Sequence, residues 1–414
     1  MQRYSLVSLA RNAFSNHEDW PRAWRAAEPQ AAYDIVIVGG GGHGLATAYY
    51  LAREFGEKKV AVLETGWLGG GNTGRNTTII RSNYLQDESA ALYDHAVQLW
   101  RGLSRELNYN VMYSPRGLLH LAHDESELRE ISRRGHANWL NGIDAEFLTP
   151  AEVRQWVPAI RLDGRYPILG ALLQRRGGTA RHDAVAWGYA RAADRLGVDI
   201  IENCEVTGIE VADGRVRALQ TGRGRIAAGK VGLVAAGHSS VLANMAGFRL
   251  PLASTPLQAL VSEPVKPVLD VVVMSGKVHV YVSQSDKGEL VIGAGSDMHN
   301  SYSQRGSYDM IEEIMGPLLE LFPSFSRLRM LRQWAGIVDV TPDRSPIIGP
   351  SPVAGLYLNC GWGTGGFKAT PGSGHVFAAT IARDAPHPMA APFGLDRFTS
   401  GALVDEVAAA AVAH

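Results

Sequence analysis

Tyr33-Asp34-Ile35-Val36-Ile37-Val38-Gly39-Gly40-Gly41-Gly42-His43-Gly44 is the stretch that decides how this chain folds. A continuous apolar run of strand length breaks at once into glycines, and Leu45 to Phe55 then carries helical character. A second apolar run, Val60-Ala61-Val62-Leu63, ends at Glu64, completing a strand–helix–strand unit of about thirty residues.

The spacing Gly39-x-Gly41-x-x-Gly44 gives each glycine a task. The first allows the tight turn, the second lets the backbone approach a pyrophosphate, and the third lets helix and strand pack closely. Gly42 and His43 lie in the same turn, where the helix start offers N–H groups and a partial positive charge to phosphates. His43 is expected to meet the ligand through its backbone. Glu64 stands where an acid accepts the adenosine ribose hydroxyls. In a glycine-rich chain the pattern alone is weak; the strand before it and the helix after it identify a dinucleotide site.

NAD and FAD both use such a site, and two features favour noncovalent FAD. After Glu64 the chain does not enter another helix–strand repeat but a loop from Gly69 to Thr78, in which Asn72, Thr73 and Arg75 can line the rest of the cofactor. Val231 to Gly237 is a further apolar strand that ends in a turn of small residues.

Forty basic residues against forty-one acidic ones leave a net charge of -1, so no bulk electrostatic case exists for nucleic acid or anionic membrane as partner. The 46 glycines in 414 residues are about 11%, against a usual ~7%, and many cluster near 39–44, 66–74 and 361–374. Cys204 and Cys360 are the only cysteines, which excludes a disulfide framework and a cysteine-cluster metal site; both are expected as reduced, buried thiols. No signal peptide is read at the start, and the longest apolar stretch is interrupted by four glycines. The expectation is a soluble, cytoplasmic protein without a metal.

The expected fold is α/β: a Rossmann-like FAD-binding domain with an inserted antiparallel sheet and helices that face the substrate. Residues 33–85, 176–247 and 336–385 would form the discontinuous FAD domain, and 86–175 with 248–335 the inserted one. Residues 1–32 read as an arm for subunit contact and 386–414 as a C-terminal tail. Helices are expected over 87–108, 124–135, 183–196 and 308–321 and from about Gly374. A hairpin is expected about Asp213-Gly214.

In this order, the pieces resemble the glycine oxidase and sarcosine oxidase class of the D-amino-acid oxidase family over roughly 33–385. Asn72-Thr-Gly-Arg-Asn-Thr-Thr-Ile-Ile-Arg81-Ser-Asn-Tyr84, Gly178-Thr-Ala-Arg-His182-Asp183 and Gly361-Trp-Gly-Thr-Gly-Gly-Phe-Lys368-Ala-Thr-Pro-Gly are similar to the heterotetrameric sarcosine oxidases, as is the opening Met1-Gln-Arg-Tyr-Ser. The resemblance implies one subunit of an αβγδ assembly that oxidises sarcosine to glycine. The methyl carbon would pass to tetrahydrofolate or leave as formaldehyde. FAD would take the electrons, and a covalent FMN at the interface with the alpha subunit would reduce oxygen to hydrogen peroxide. NAD would belong to the alpha subunit, with gamma and delta as further partners. Monomeric relatives hold FAD through a cysteine in the segment matching Trp334 to Asp343; that segment has no cysteine here, so this linkage is ruled out.

Amine oxidation leaves the redox step to the cofactor, while the protein binds and orients a small zwitterion whose main handle is a carboxylate. Arg81 and Lys368 are the expected cations, one able to grip through paired hydrogen bonds and one as a point charge. Arg81 taken alone also reads as a surface cation on a strand edge. Arg75 either stabilises the reduced flavin or structures its loop. His238 reads as structural. His182 follows a glycine turn at a helix start. By position it is a solvent-facing histidine; by resemblance it carries the FMN, with Asp183 available to orient its ring. Ile79, Val206, Gly363 and Gly366 are assigned to flavin lining by the same resemblance. Two other functions fit the residues: an N-methylglutamate or proline dehydrogenase, and an assembly subunit that keeps flavin for structure alone.

Overall fold

The computed structural model describes residues 5–18, 22–297 and 299–405. The opening residues 1–4 and the tail beyond Asp405 lie outside them.

Ala32–Val38 forms the middle of an eight-stranded sheet. It runs parallel to Val60–Leu63 on one side and Gly224–Leu233 on the other; Asp199–Ile201 and Leu356–Cys360 extend the parallel set outward. Ile347–Pro350 closes one edge antiparallel, and the hairpin Val206–Ala212 with Arg215–Thr221 joins the start of Gly224–Leu233. The run Ile35–Val38 and the strand Val60–Leu63 are apolar because both faces are covered, whereas the hairpin strands carry exposed polar residues such as Arg215 and Arg217. Ile35 and Ile37 pack toward the helices Gly42–Glu54, His182–Arg195 and Gly366–Arg383. Val36 and Val38 pack toward Ile209 of the hairpin and Leu242.

The second eight-stranded sheet runs in the order Met330–Val340, Ala253–Pro264, Glu289–Ser296, Val280–Gln284, Val272–Ser275, Leu118–Ala122, Gly170–Gln174, Glu146–Leu148. All its pairings are antiparallel except Val272–Ser275 with Leu118–Ala122. The helix Tyr308–Leu321 occupies the span expected for it and buries Ile314, Leu318 and Leu321 against this sheet. The sheets meet where Ser254 donates its hydroxyl to the carbonyl of Gly237 at 2.7 Å.

One boundary differs from the sequence reading in a way that affects the site. The last long helix begins at Gly366, not near Gly374. Three glycines and Pro371 lie within it, and helix propensity argues against each of them. Packing decides otherwise. A Cβ on Gly372 would lie 2.9 Å from that of Ala96, and one on Gly374 2.4 Å from that of Ala46. These glycines are the close approach of three helices, and the buried face they create outweighs propensity. The helix expected over 124–135 likewise runs further, over Glu125–Leu140.

The N-terminal arm contains a helix, Leu6–Phe14, capped by the Ser5 side chain, which leaves Leu6, Val7, Leu9 and Phe14 exposed. Residues 391–405, part of the stretch 386–414 read from sequence as a tail, dock on the core through Phe393 and Val404 and through a buried Arg397–Asp343 ion pair at 2.7 Å. Cys204 and Cys360 are free and buried. Among the described residues no helix is long and apolar enough to cross a membrane, and no cluster of metal-ligating side chains occurs.

Candidate active site

A cleft of about 590 Å³ runs from the glycine turn to the junction of the two sheets. At its first end Gly39 has φ +118°, and a Cβ there would lie 2.3 Å from the carbonyl oxygen of Val234. The backbone therefore forms the cleft wall unscreened. Gly44 does not line the cleft. Its Cβ would lie 2.0 Å from the Gly39 oxygen, so its absence is what seats the helix on the turn. A Cβ on Gly41 would meet only Thr73 Oγ1, at 3.2 Å. Gly42 N–H donates to Thr73 Oγ1 at 2.9 Å, while the N–H groups of His43 and Gly44 have no acceptor within their helix. Glu64 is held rigidly: its two oxygens accept from the N–H groups of Gly40 at 2.8 Å and Gly66 at 2.9 Å. Each oxygen retains a lone pair for a further hydroxyl.

His43 does more than its backbone suggested. Its Nε2 donates to the carbonyl of Gly366 at 2.8 Å, and its Nδ1 accepts from the Ser373 hydroxyl at 2.7 Å. Burial pushes its pKa down to about 4, so it is a neutral clamp between the glycine turn and the last helix.

The loop after Glu64 forms a short 3-10 turn over Asn72–Arg75 that faces the cleft. Asn72 donates to the carbonyl of Ile337, and Trp334 Nε1 donates to that of Arg75 at 2.6 Å. The Arg75 guanidinium donates to the carbonyls of Gly70 and Gly71, which is the loop-structuring arrangement. Val206, Gly363 and Gly366 also line the cleft.

At the other end the small strand Ile79–Ile80 pairs with Gly178–Thr179 and delivers Arg81 into the interior. Arg81 is buried, donates to Asn83 Oδ1 at 2.9 Å, and its guanidinium carbon lies 4.4 Å from the Tyr84 ring centre. It is no surface cation. Lys368 is buried in the first turn of the last helix, where Nζ donates to the carbonyl of Thr364 at 2.9 Å. Burial first, and the charge of Arg81 second, hold the Lys368 pKa well below the ordinary lysine value. Two desolvated cations at one end of a cleft make a place for an anion, because a carboxylate offsets both desolvation and mutual repulsion.

Two cleft residues were not singled out from sequence. Asp339 is fully buried in the strand Met330–Val340; burial pushes its carboxyl up to about 7 although the Gly361 and Trp362 N–H groups favour its charged form. The readable signal was a lone acid inside the apolar run Ile337-Val338-Asp339-Val340. Tyr281, whose hydroxyl hydrogen-bonds Thr77 Oγ1 at 2.9 Å, had none: only folding brings its strand to that loop. His238 also lines the cleft.

His182 opens the helix His182–Arg195 and stands away from the cleft lining. It is largely withdrawn from solvent; its Nδ1 is buried without a hydrogen-bond partner, and burial lowers its pKa. Asp183 does not orient it, because its carboxylate is engaged by Arg181 at 2.8 and 3.1 Å.

The two-sheet fold and the glycine-turn cleft define a class, and comparison with known proteins states it: the chain belongs to the FAD dependent oxidoreductase (DAO) family, which matches residues 34–380, and it is a flavin-dependent amine oxidoreductase. Within that class it is 59% identical to sarcosine oxidase subunit beta of Rhodobacter capsulatus over the full length of both chains. It is 58% identical to sarcosine oxidase subunit beta of an Arthrobacter species, over 94% of this chain and 97% of that one. Among solved structures, L-proline dehydrogenase from P. horikoshii superposes with a TM-score of 0.86 at 26% identity, covering 91% of this chain and 100% of that one.

Proposed function

We propose that this chain is the sarcosine-oxidising subunit of a multisubunit oxidase, and that the cleft holds FAD noncovalently with the substrate carboxylate between Arg81 and Lys368. The observation that carries the reading is the pair of buried cations at one end of a cleft whose other end is the glycine turn. The level of identity to sarcosine oxidase beta subunits supports sarcosine as the substrate.

The residues fit FAD. Gly39 and Gly41 expose backbone to the pyrophosphate, Glu64 receives the ribose hydroxyls, and Asn72, Thr73, Ile79, Gly363 and Gly366 enclose the remainder. Held there, FAD would supply the acceptor for a hydride from the methyl group of sarcosine. Arg81 and Lys368 fix the carboxylate, and hence the distance of that methyl from the acceptor; orientation of this kind converts binding into rate. Water adds to the resulting imine, and glycine and formaldehyde leave; with tetrahydrofolate as acceptor, the carbon leaves as methylenetetrahydrofolate instead.

His182 fits a covalent FMN: a neutral imidazole with a buried, unpartnered nitrogen is a competent nucleophile near pH 7. FMN held there would supply the reduction of oxygen to hydrogen peroxide. The partners are an alpha subunit, which contributes NAD and the other wall of the FMN site, with gamma and delta subunits; the exposed Leu6, Val7, Leu9 and Phe14 supply one apolar contact for them. The FAD domain comprises 33–85, 176–247 and 336–385, the substrate domain 86–175 and 248–335, and the setting is the cytoplasm.

The test is the co-purified assembly given sarcosine and oxygen. Glycine, formaldehyde and peroxide should form in equal amounts, acid should release FAD, and a His182 peptide should be heavier by one FMN. An unmodified His182 peptide from active enzyme sinks the FMN assignment alone. The overlap with a proline dehydrogenase favours one second reading; proline oxidation without peroxide would support it.

A further inference from the structure

A small cavity of about 50 Å³ adjoins the cation end of the cleft and shares Arg81, Trp362 and Thr364 with it. Arg344, in the turn that follows the strand Met330–Val340, also lines it. Three observations distinguish this arginine. Its guanidinium has no ion pair or hydrogen bond among the described residues, and its acidic neighbour Asp343 is already held by two hydrogen bonds from Arg397. Burial lowers its pKa, so its charge is partly desolvated without compensation. Its backbone sits at φ +60°, a conformation that costs a non-glycine residue energy and persists only where the surroundings impose it. Thr255 and Ser296, whose hydroxyls lie 3.3 Å apart, also line the cavity. The volume suits a group about the size of a carboxylate or one to two waters.

We propose that Arg344 and this cavity form an outer carboxylate subsite, in which the carboxylate of a small amino acid is recognised before it passes to Arg81 and Lys368. The inference rests on the reading that the inner pair binds that carboxylate. A zwitterion carries no net charge, so distant attraction is weak and the effect of a second cation is orientational: the carboxylate enters first and the amine trails toward the cofactor. Arg344 is therefore a specificity residue. It favours substrates with a free carboxylate over amines and esters of equal size, and acts on capture, not on the oxidation step.

The experiment uses the full assembly with its flavins. Arg344→Asn removes the charge while retaining a residue that tolerates the left-handed backbone; Arg344→Lys keeps the charge. Anaerobic rapid mixing with sarcosine should give Arg344→Asn a half-saturating concentration roughly tenfold higher, with the limiting rate of flavin reduction within about twofold of wild type. Arg344→Lys should recover most of the loss. Acetate, read by its perturbation of the flavin spectrum, should weaken in parallel for the Asn variant. Unchanged half-saturation and acetate affinity in Arg344→Asn would overturn the subsite, as would a Lys variant as impaired as the Asn one. If wild-type flavin is not reduced by sarcosine, the underlying reading fails instead, and the acetate titration still decides whether Arg344 binds a carboxylate.

Discussion

Arg81 and Lys368 have different local settings and one shared destination. One leaves a two-residue strand, the other opens a helix, and both finish buried at the same end of the cleft. Changing either to Met removes a charge-assisted hydrogen bond worth about 1.5–3 kcal/mol, so kcat/KM for sarcosine should fall roughly ten- to a hundredfold with FAD content intact. Lys368 adds a pH signature. Its pKa is depressed, so its charge is present at low pH and lost as pH rises through a value below the ordinary lysine range. Acetate, which has no amine to titrate, should therefore bind more weakly as pH rises, measured by spectral titration, and Lys368→Met should flatten that dependence. Both cations were legible because each stands in a string of distinctive neighbours. Tyr281 was not: its position at the cleft depends on where the second sheet lands. The burial of the His182 Nδ1 was not legible either, since adjacent sequence suggested an exposed helix start.

Elements were legible where apolar periodicity agreed with local propensity. The first strand and the helix that follows it meet that condition, while Tyr308–Leu321 was legible by its apolar period alone, since Gly316 and Pro317 lie within it. The start of Gly366–Arg383 does not, because its glycines serve contacts with Ala46 and Ala96 that no local pattern encodes. The glycine turn can be dissected at this scale. Gly44→Ala places a Cβ against the Gly39 carbonyl, so thermal unfolding should show a loss of more than about 3 kcal/mol whether or not flavin is present. Gly41→Val asks only the Thr73 side chain, 3.2 Å from its Cβ, to give a little, but intrudes where the pyrophosphate approaches; it should leave the far-ultraviolet circular dichroism native while the protein purifies without FAD. Equal effects of the two changes on folding would contradict the division of roles.

Over the described residues, two sheets from interleaved segments enclose one cleft, and residues 391–405 tie the fold down. The Arg397–Asp343 pair is buried on both sides, so Arg397→Met strands a buried carboxylate and should cost about 3–5 kcal/mol by denaturant unfolding. Arg397 holds the Asp343 carboxyl below its ordinary value. That contribution is present above the unfolded-state pKa and lost as pH falls through the folded one, so wild type and variant should converge in stability in acid. The alternation of nucleotide-type and antiparallel segments was visible in the sequence; the docking of residues 390–404 was not, because it depends on a partner carboxylate about fifty residues away. The central claim, that this cleft brings sarcosine to a reducible FAD, is met most directly by one measurement. Sarcosine is added anaerobically to the co-purified, FAD-containing assembly and the visible spectrum is recorded. The account predicts bleaching of the oxidised flavin bands; a folded, FAD-loaded assembly whose spectrum stays unchanged at saturating sarcosine would contradict it.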